Sequence, residues 1–298
     1  MNGVIFDLKR FAVHDGRGIR STLFLKGCPL RCPWCQNPEG LSRELRLWHQ
    51  PATCIRCGTC TAACPEKALS LTERVRIDRE KCTLCGVCAE RCPTGALSLD
   101  GREISAEQAA ELLLRDLPFF GNGGGITLSG GEATAQPEFA LEVLRLCRER
   151  GAGTAMETCL FAPWETISRF LPYVDYFLTD LKLFDPEEHL RATGVPNAPI
   201  LANFRALSEA GADILARTPL IPGFTDTEEN IRSIARFVVS VNREIPCELL
   251  NYNPLCRSKY AALDEEYPVS GGPLSEERME AFRAILREEG VRHIVKES

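Results

Sequence analysis

The sequence predicts an α/β protein: a partial (β/α)6 barrel of the TIM type, interrupted near its N-terminus by a cysteine-rich insert. Two observations predict it. After residue 100, short apolar runs alternate with helix-like stretches. About six strands alternating with helices build a parallel sheet with helices outside, and right-handed crossovers would curve it into an open or partial barrel. Between residues 49 and 97 the alternation stops. Short loops, Cys-Pro pairs and two copies of one cysteine pattern replace it. The expected division is 1–48 with 98–298 for the barrel and 49–97 for the insert.

Residues 20–26 read as a strand running into a first cysteine loop. Within the insert, 68–71 and 96–99 read as small strands, one after each cysteine run. Ser105 with Gln108 three residues on is a capping-box pattern opening a helix over 106–114. Residues 125–129 are a strand, and 137–150 a helix with apolar residues at Phe139, Leu141, Val143, Leu144 and Leu146. Further strands are expected at 154–157, 173–180, 213–217, 248–251 and 292–295. Helices are expected at 163–171, 186–192, 197–209, 225–242 and 274–289, with Thr225 or Asp226 capping the fourth. Ligands in such folds gather at the C-terminal strand ends. The first cysteine loop, Gly130-Gly131, Glu157, Asp180-Leu181-Lys182, Arg217 and Asn251-Tyr252-Asn253 all fall at predicted strand ends, on one rim.

A net charge of −6 argues against a nucleic-acid partner. No run of eighteen apolar residues exists, so no membrane span is expected. Residues 1–10 carry Asp7, Lys9 and Arg10 and lack a signal-peptide core. A cytoplasmic location follows as an expectation. Fifteen cysteines in such a chain point to metal or redox use rather than disulfides, and to an oxygen-sensitive protein of an anaerobic setting.

Eleven of those cysteines form three groups. Cys54, Cys57, Cys60 and Cys64, then Cys82, Cys85, Cys88 and Cys92, each spell C-x2-C-x2-C-x3-C-P. That is the bacterial ferredoxin run, whose fourth cysteine ligates the other cluster. One four-iron–four-sulfur cluster is therefore assigned to Cys54, Cys57, Cys60 and Cys92. The other is assigned to Cys82, Cys85, Cys88 and Cys64, making 49–97 a ferredoxin-like insert. The rival is a pair of structural zinc sites, which leaves each third cysteine and its proline without a reason. The remaining group, Cys28, Cys32 and Cys35, is one thiolate short of a closed cluster. An open iron can bind something else, by the logic that separates catalytic from structural metal sites.

At this group the chain resembles the radical S-adenosylmethionine superfamily. The stretch His14-Asp15-Gly16-Arg17-Gly18-Ile19-Arg20, through Gly27-Cys28 to Cys35-Gln36-Asn37-Pro38-Glu39, is similar to one branch of it, the activating enzymes of glycyl radical enzymes. Ser129-Gly130-Gly131-Glu132 matches the GGE motif of that superfamily. Glu157-Thr158, Asp180-Leu181-Lys182, Arg217 and the Pro222-Gly223-Phe224 turn fall where its members have counterparts.

The resemblance implies that S-adenosylmethionine chelates the open iron of the Cys28, Cys32 and Cys35 cluster. Gly130, Gly131 and Glu132 would border its methionyl end, the glycines allowing close backbone approach. The Asp180-Leu181-Lys182 strand end would meet the methionyl carboxylate region, with Arg217 on the carboxylate side. Glu157 and Thr158 are candidates to hold a monovalent cation. Trp34 and Gln36 would flank the nucleoside. Reductive cleavage would give a 5′-deoxyadenosyl radical, which takes hydrogen from a backbone glycine of a partner glycyl radical enzyme. Asp15 would touch that partner's glycine loop. The insert clusters would feed electrons from flavodoxin or ferredoxin, in a monomeric protein. Two positions depart from the pattern: Arg17 stands where a proline is frequent, and Asn253 where a histidine is usual near the ribose. Asn253 can still contact the nucleoside but cannot take a proton near neutral pH.

Two other readings remain at this level: a radical enzyme acting on a small molecule, and an electron-transfer protein that uses the barrel as a scaffold. Gly121–Gly125 precedes a strand rather than a helix and reads as a turn, not a phosphate loop. Cys147, Cys159, Cys247 and Cys256 read as buried apolar thiols, with Cys159 alone near the proposed site. His14, His49, His189 and His293 show no ligand spacing.

Overall fold

The computed structural model describes residues 1–296. Its strands are β1 (Asn2–Ala12), β2 (Arg20–Leu25), β3 (Leu47–His49), β4 (Leu69–Leu71), β5 (Val75–Ile77), β6 (Leu97–Leu99), β7 (Arg102–Ser105), β8 (Gly125–Gly130), β9 (Gly153–Thr158), β10 (Tyr176–Asp180), β11 (Ile214–Leu220), β12 (Cys247–Asn251) and β13 (Ile294–Val295). Nine of them form one sheet in the order β13-β12-β11-β10-β9-β8-β2-β1-β7. From β13 to β2 every neighbouring pair is parallel. The sheet stays open, with β13 and β7 at its edges.

The parallel strands lie where the alternation placed them. Two strands of this sheet were not expected, and neither were β3 and β5 outside it. β1 and β7 extend the sheet antiparallel beyond β2. β1 puts Asp7, Lys9 and Arg10 at its exposed positions, so it lacks the apolar run of a strand buried on both faces.

Helix boundaries follow local chemistry. Ser105 Oγ accepts from Gln108 N while Gln108 Oε1 accepts from Ser105 N, closing the expected capping box before Ala106–Leu113. Pro137 opens Pro137–Glu149 from its first position, where a missing N–H costs nothing. That helix buries Phe139, Ala140, Val143, Leu144 and Cys147 along one stripe. Glu228–Val241 is capped by Thr227 rather than Thr225 or Asp226. Thr225 Oγ1 instead bonds within the Pro219–Ile221 backbone, and Asp226 accepts from Gly223 N, so both close the preceding turn. The segment expected as one helix over 163–171 splits into Trp164–Ile167 and a 3-10 turn, Ser168–Phe170. A further short helix, Arg257–Ala262, was not expected.

The main core lies between the sheet and its outer helices, around Leu23, Leu128, Met156, Phe177, Phe204 and Phe282. A separate small core serves the insert, built from Leu47, Leu69, Val75 and Leu97 with Cys60 and Cys88. Its two halves repeat in three dimensions. Gly58 and Gly86 open the short helices Thr59–Ala63 and Val87–Glu90 at φ 75° and 78°. Arg56 and Leu84, two residues earlier, are both left-handed at φ 56° and 57°. The pairs β3–β6 and β4–β5 stand in corresponding places.

The chain enters the insert at Arg46 and leaves it at Asp100. Asp100 N donates to Arg46 O, and Asp100 Oδ1 accepts from Arg46 N at 2.7 Å. Lys26, at the end of β2, pairs with Asp100 Oδ2 at 2.9 Å, and both side chains are fully buried. Lys26 Nζ also donates to Glu39 O at 2.6 Å. Breaking a buried pair by removing one partner costs about 3–5 kcal/mol, whereas replacing both by apolar groups often costs little. Lys26→Met is therefore expected to lose about 3 kcal/mol of stability, near the low end because Arg46 still faces Asp100. Lys26→Met with Asp100→Leu should recover part of the loss and not all of it, because Arg46 N loses its acceptor. Anaerobic denaturant titration of both variants checks this.

Candidate active site

Strand parity builds the site. Leu128, Met156, Phe177 and Ala216 face the main core. With a side-chain period of two, Ser129, Glu157, Asp180 and Arg217 face the other way, the first three at the C-terminal ends of β8 to β10 and Arg217 level with Asp180 in the middle of β11. Parallel register sets Asp180 opposite Arg217. Arg217, with its side chain 7% exposed, donates to Glu157 Oε1 at 2.7 Å and to Asp180 Oδ1 at 3.2 Å. Lys182 donates to Asp180 Oδ2 at 2.9 Å, and Ser129 Oγ donates to Glu157 Oε2. Burial alone would raise the Asp180 carboxyl, but Lys182 and Arg217 outweigh it and hold Asp180 below the usual carboxylate range. Burial alone would lower Lys182 and Arg217. Asp180 for the lysine, and Glu157 with Asp180 for the arginine, hold both firmly charged.

The cysteine loop closes over this row. Cys28, Cys32, Trp34, Cys35 and Gln36 line one cavity of about 220 Å³ together with Gly130, Gly131, Glu132, Glu157, Thr158, Asp180, Lys182 and Arg217. Leu30, Pro219, Ile221 and Leu250 supply apolar walls. The loop is fixed by Gly27 N to Gly40 O at 2.7 Å, Arg31 N to Thr193 O at 2.7 Å and Tyr260 OH to Cys35 O at 3.1 Å. Burial pushes the Cys32 thiol up to about 11 and Cys35 up to about 12, so their protons leave when a metal replaces them.

Two glycines make the closure possible. A Cβ on Gly131 would lie 2.4 Å from both Gly27 O and Gly40 O. One on Gly130, at φ 117°, would lie 2.3 Å from Leu25 N. The glycine pair thus lets the β8 end pack on the protein's own backbone beneath the cysteine loop, a reason independent of any ligand.

Several expected residues are engaged by the protein's own groups, and some lie away from the cavity. Glu132 is buried and its carboxylate is filled: Oε1 accepts from Thr134 N, Thr134 Oγ1 and Thr158 Oγ1, and Oε2 from Cys159 N. It lines the cavity with its carboxylate held by the protein's own donors. Thr158 Oγ1 is spent on Glu132, and Arg217 already balances Glu157. Leu181 follows Asp180 by one residue, so parity sends it into the main core. Asn253 caps the turn Pro254–Cys256 through Leu255 N, and its carbonyl accepts from Gln36 Nε2. It does not line the cavity. Asp15 sits beside the middle of β2 and β8, accepting from Thr22 Oγ1 on its carboxylate and Thr127 Oγ1 on its carbonyl, also away from the cavity. Arg17 next to it pairs with Asp213 and stacks 4.0 Å from the Tyr176 ring, at the opposite strand ends. Ser129 and the apolar wall were not singled out in the sequence; only Ser129 carried a signal, by its position before Gly130.

In the insert, Cys54, Cys57, Cys60 and Cys92 line one cavity, and Cys64, Cys82, Cys85 and Cys88 line another. The thiols stand around a space rather than on a point. Among the described residues, no three His, Cys, Asp or Glu side chains are grouped tightly enough for a single metal ion.

Residues 22–238 match the radical SAM superfamily. Over 296 residues the chain is 41% identical to the isethionate sulfite-lyase activating enzyme of Oleidesulfovibrio alaskensis, covering 96% of this chain and 95% of that enzyme. It is 43% identical over 292 residues to the (2S)-3-sulfopropanediol sulfolyase activating enzyme of Bilophila wadsworthia, covering 96% of each. The chain belongs to the radical SAM superfamily, in its branch of glycyl radical enzyme activating enzymes. A solved domain of the pyruvate-formate lyase-activating enzyme from Bacteroides vulgatus aligns with 59% of the chain at 31% identity, with a TM-score of 0.50.

Membership in the radical SAM superfamily implies a four-iron–four-sulfur cluster and S-adenosylmethionine. The cavity of this activating enzyme fits both in donor chemistry: three thiols on one side, and paired charges of both signs on the other. Gly131→Ala should force the β8 end from the cysteine loop, at about 1–3 kcal/mol of overpacking. The expected result is weaker S-adenosylmethionine binding in a variant that still folds, read by anaerobic calorimetry and circular dichroism.

Proposed function

We propose that this activating enzyme holds its S-adenosylmethionine-binding cluster on Cys28, Cys32 and Cys35. The supporting observation is one cavity at the strand ends that joins these thiols to the Glu157, Asp180, Lys182 and Arg217 group. Lys182 Nζ spends one donor on Asp180 and presents its charge to the cavity, suited to a carboxylate. Asp180 and Glu157, each paired with Arg217, suit the amino group. A zwitterionic amino-acid end therefore meets both signs at fixed positions, which is electrostatic preorganisation rather than rearrangement. Trp34 packs 5.1 Å from Phe224 and gives the cavity a rigid aromatic wall. When bound, the reduced cluster and S-adenosylmethionine supply the 5′-deoxyadenosyl radical that takes hydrogen from a backbone glycine of the partner enzyme.

The insert, expected over 49–97 and flanked by the paired strands β3 and β6, is read as a module of two further clusters. Two separate four-thiol cavities support that reading, and each contains the fourth cysteine of the other run. Electrons would pass through it from flavodoxin or ferredoxin. The reading extends to an oxygen-sensitive, cytoplasmic monomer, in keeping with fifteen free thiols. Among the described residues no helix is long and apolar enough to cross a membrane. Both relatives above are named for lyases of sulfonates, so a carbon–sulfur-cleaving partner is the first to test.

The test is anaerobic. Reconstituted enzyme with reductant, S-adenosylmethionine and a candidate partner should yield 5′-deoxyadenosine and a glycyl doublet by electron paramagnetic resonance. Turnover to 5′-deoxyadenosine with no doublet on any glycyl radical enzyme would sink the activase reading. Cys57→Ala and Cys85→Ala should slow reduction of the first cluster and leave S-adenosylmethionine affinity unchanged. Loss of that affinity in a folded variant would contradict the division of labour.

A further inference from the structure

His49 is 5% exposed, and its buried Nε2 has no hydrogen-bond partner. A buried polar group left unsatisfied is costly, so an orphaned ring nitrogen marks a place where a partner belongs. The ring lines the cavity surrounded by Cys54, Cys57, Cys60 and Cys92.

The internal repeat shows that this placement is peculiar to one half. Leu97 follows Cys92 as Leu69 follows Cys64, and each opens the small strand after its cysteine run. Leu97 pairs with His49, and Leu69 pairs with Ile77. His49 therefore stands where the other half has an apolar side chain that can donate nothing. The cavity of Cys64, Cys82, Cys85 and Cys88 takes its apolar wall from Leu47, the counterpart of Val75, with Ala68 and Leu69, and Ile77 is not among its lining residues.

We propose that His49 donates its Nε2–H to a sulfur of the cluster held by Cys54, Cys57, Cys60 and Cys92, and so sets that cluster at a higher reduction potential than its repeat twin. The inference rests on the two-cluster reading of the insert. Reduction adds negative charge that spreads onto the sulfurs. Hydrogen bonds to those sulfurs are among the levers that set an iron–sulfur potential, and second-shell donors tune a metal group without ligating it. A sulfur acceptor on that side also selects the tautomer with its hydrogen on Nε2.

The test uses the full chain, reconstituted anaerobically with iron and sulfide. His49→Ile installs the residue of the other half, and His49→Gln keeps an N–H donor. Redox titration followed by electron paramagnetic resonance should show one midpoint falling in H49I at unchanged iron content. The expected shift is about tenfold in the reduction equilibrium, which is 59 mV for one electron. H49Q should recover part of it. Wild-type enzyme labelled with 15N-histidine should show a nitrogen coupling to one insert cluster, a readout that does not depend on any variant folding. Unchanged midpoints in fully loaded H49I, or no histidine coupling, overturn the inference and leave the two-cluster reading standing. Wild-type iron content matching a single cluster overturns both.

Discussion

A buried ion pair fixes where the three cysteine groups sit relative to one another. Lys26 immediately precedes Gly27-Cys28, and Asp100 immediately follows β6, so their contact joins the root of the first cysteine loop to the exit of the insert. Arg46, at the entrance, bonds the same carboxylate and reaches out to Glu265. One carboxylate is thus the common reference for barrel, loop and insert. Burying it is costly, and an apolar pair of the same shape could be equally stable. What the charged arrangement adds is direction: Asp100 accepts at both oxygens from three donor atoms of Lys26 and Arg46, which an apolar contact would not impose.

The active site applies the same economy of charge to a different end. Glu157 and Asp180 bring two negative charges to one strand rim, and Arg217 and Lys182 bring two positive ones. The group is neutral as a whole, which lets it sit largely buried, yet each charge is fixed by register. A single charged group set against it would unbalance it; the amino-acid end of a ligand, with a group of each sign, would not. Glu132, although drawn from the most recognisable motif, takes no part in that balance. Its carboxylate staples the β8 and β9 ends together through Thr134, Thr158 and Cys159. The motif glycines likewise serve backbone packing against Leu25, Gly27 and Gly40.

The parallel strands and the charged rim were legible because they follow from period and alternation. Strand ends carrying Glu157, Asp180 and Arg217 announce a rim in any α/β sheet. Leu181 could have been excluded by parity alone, since it adjoins Asp180. Other features left no local trace. β1 and β7 are held by antiparallel pairing to β2 and to each other's backbone, and backbone pairing has no sequence signature of its own. Asn253 looked like a rim residue by spacing, but an asparagine before Pro254 was also a ready cap, and the cap won. Thr225 and Asp226 lost the helix cap for a similar reason, being drawn into the turn one step earlier.

The segment after β12 shows why such omissions matter mechanically. Residues 253–265 have no clear period, yet they touch both halves of the molecule. Lys259 bridges Asn37 Oδ1 and Glu39 Oε1, and Tyr260 OH holds Cys35 O, so one face grips the first cysteine loop. Asp264 pairs with Arg74, and Leu263 O accepts from Arg79, so the other face grips the insert. With Lys26 and Asp100 forming one tie, this segment is a second, on different residues and from the far end of the chain. A body held by two separated ties cannot pivot about either. The only rotation these two ties leave the insert is about the line between them, and the second tie links it to Cys35 through the segment that carries Tyr260.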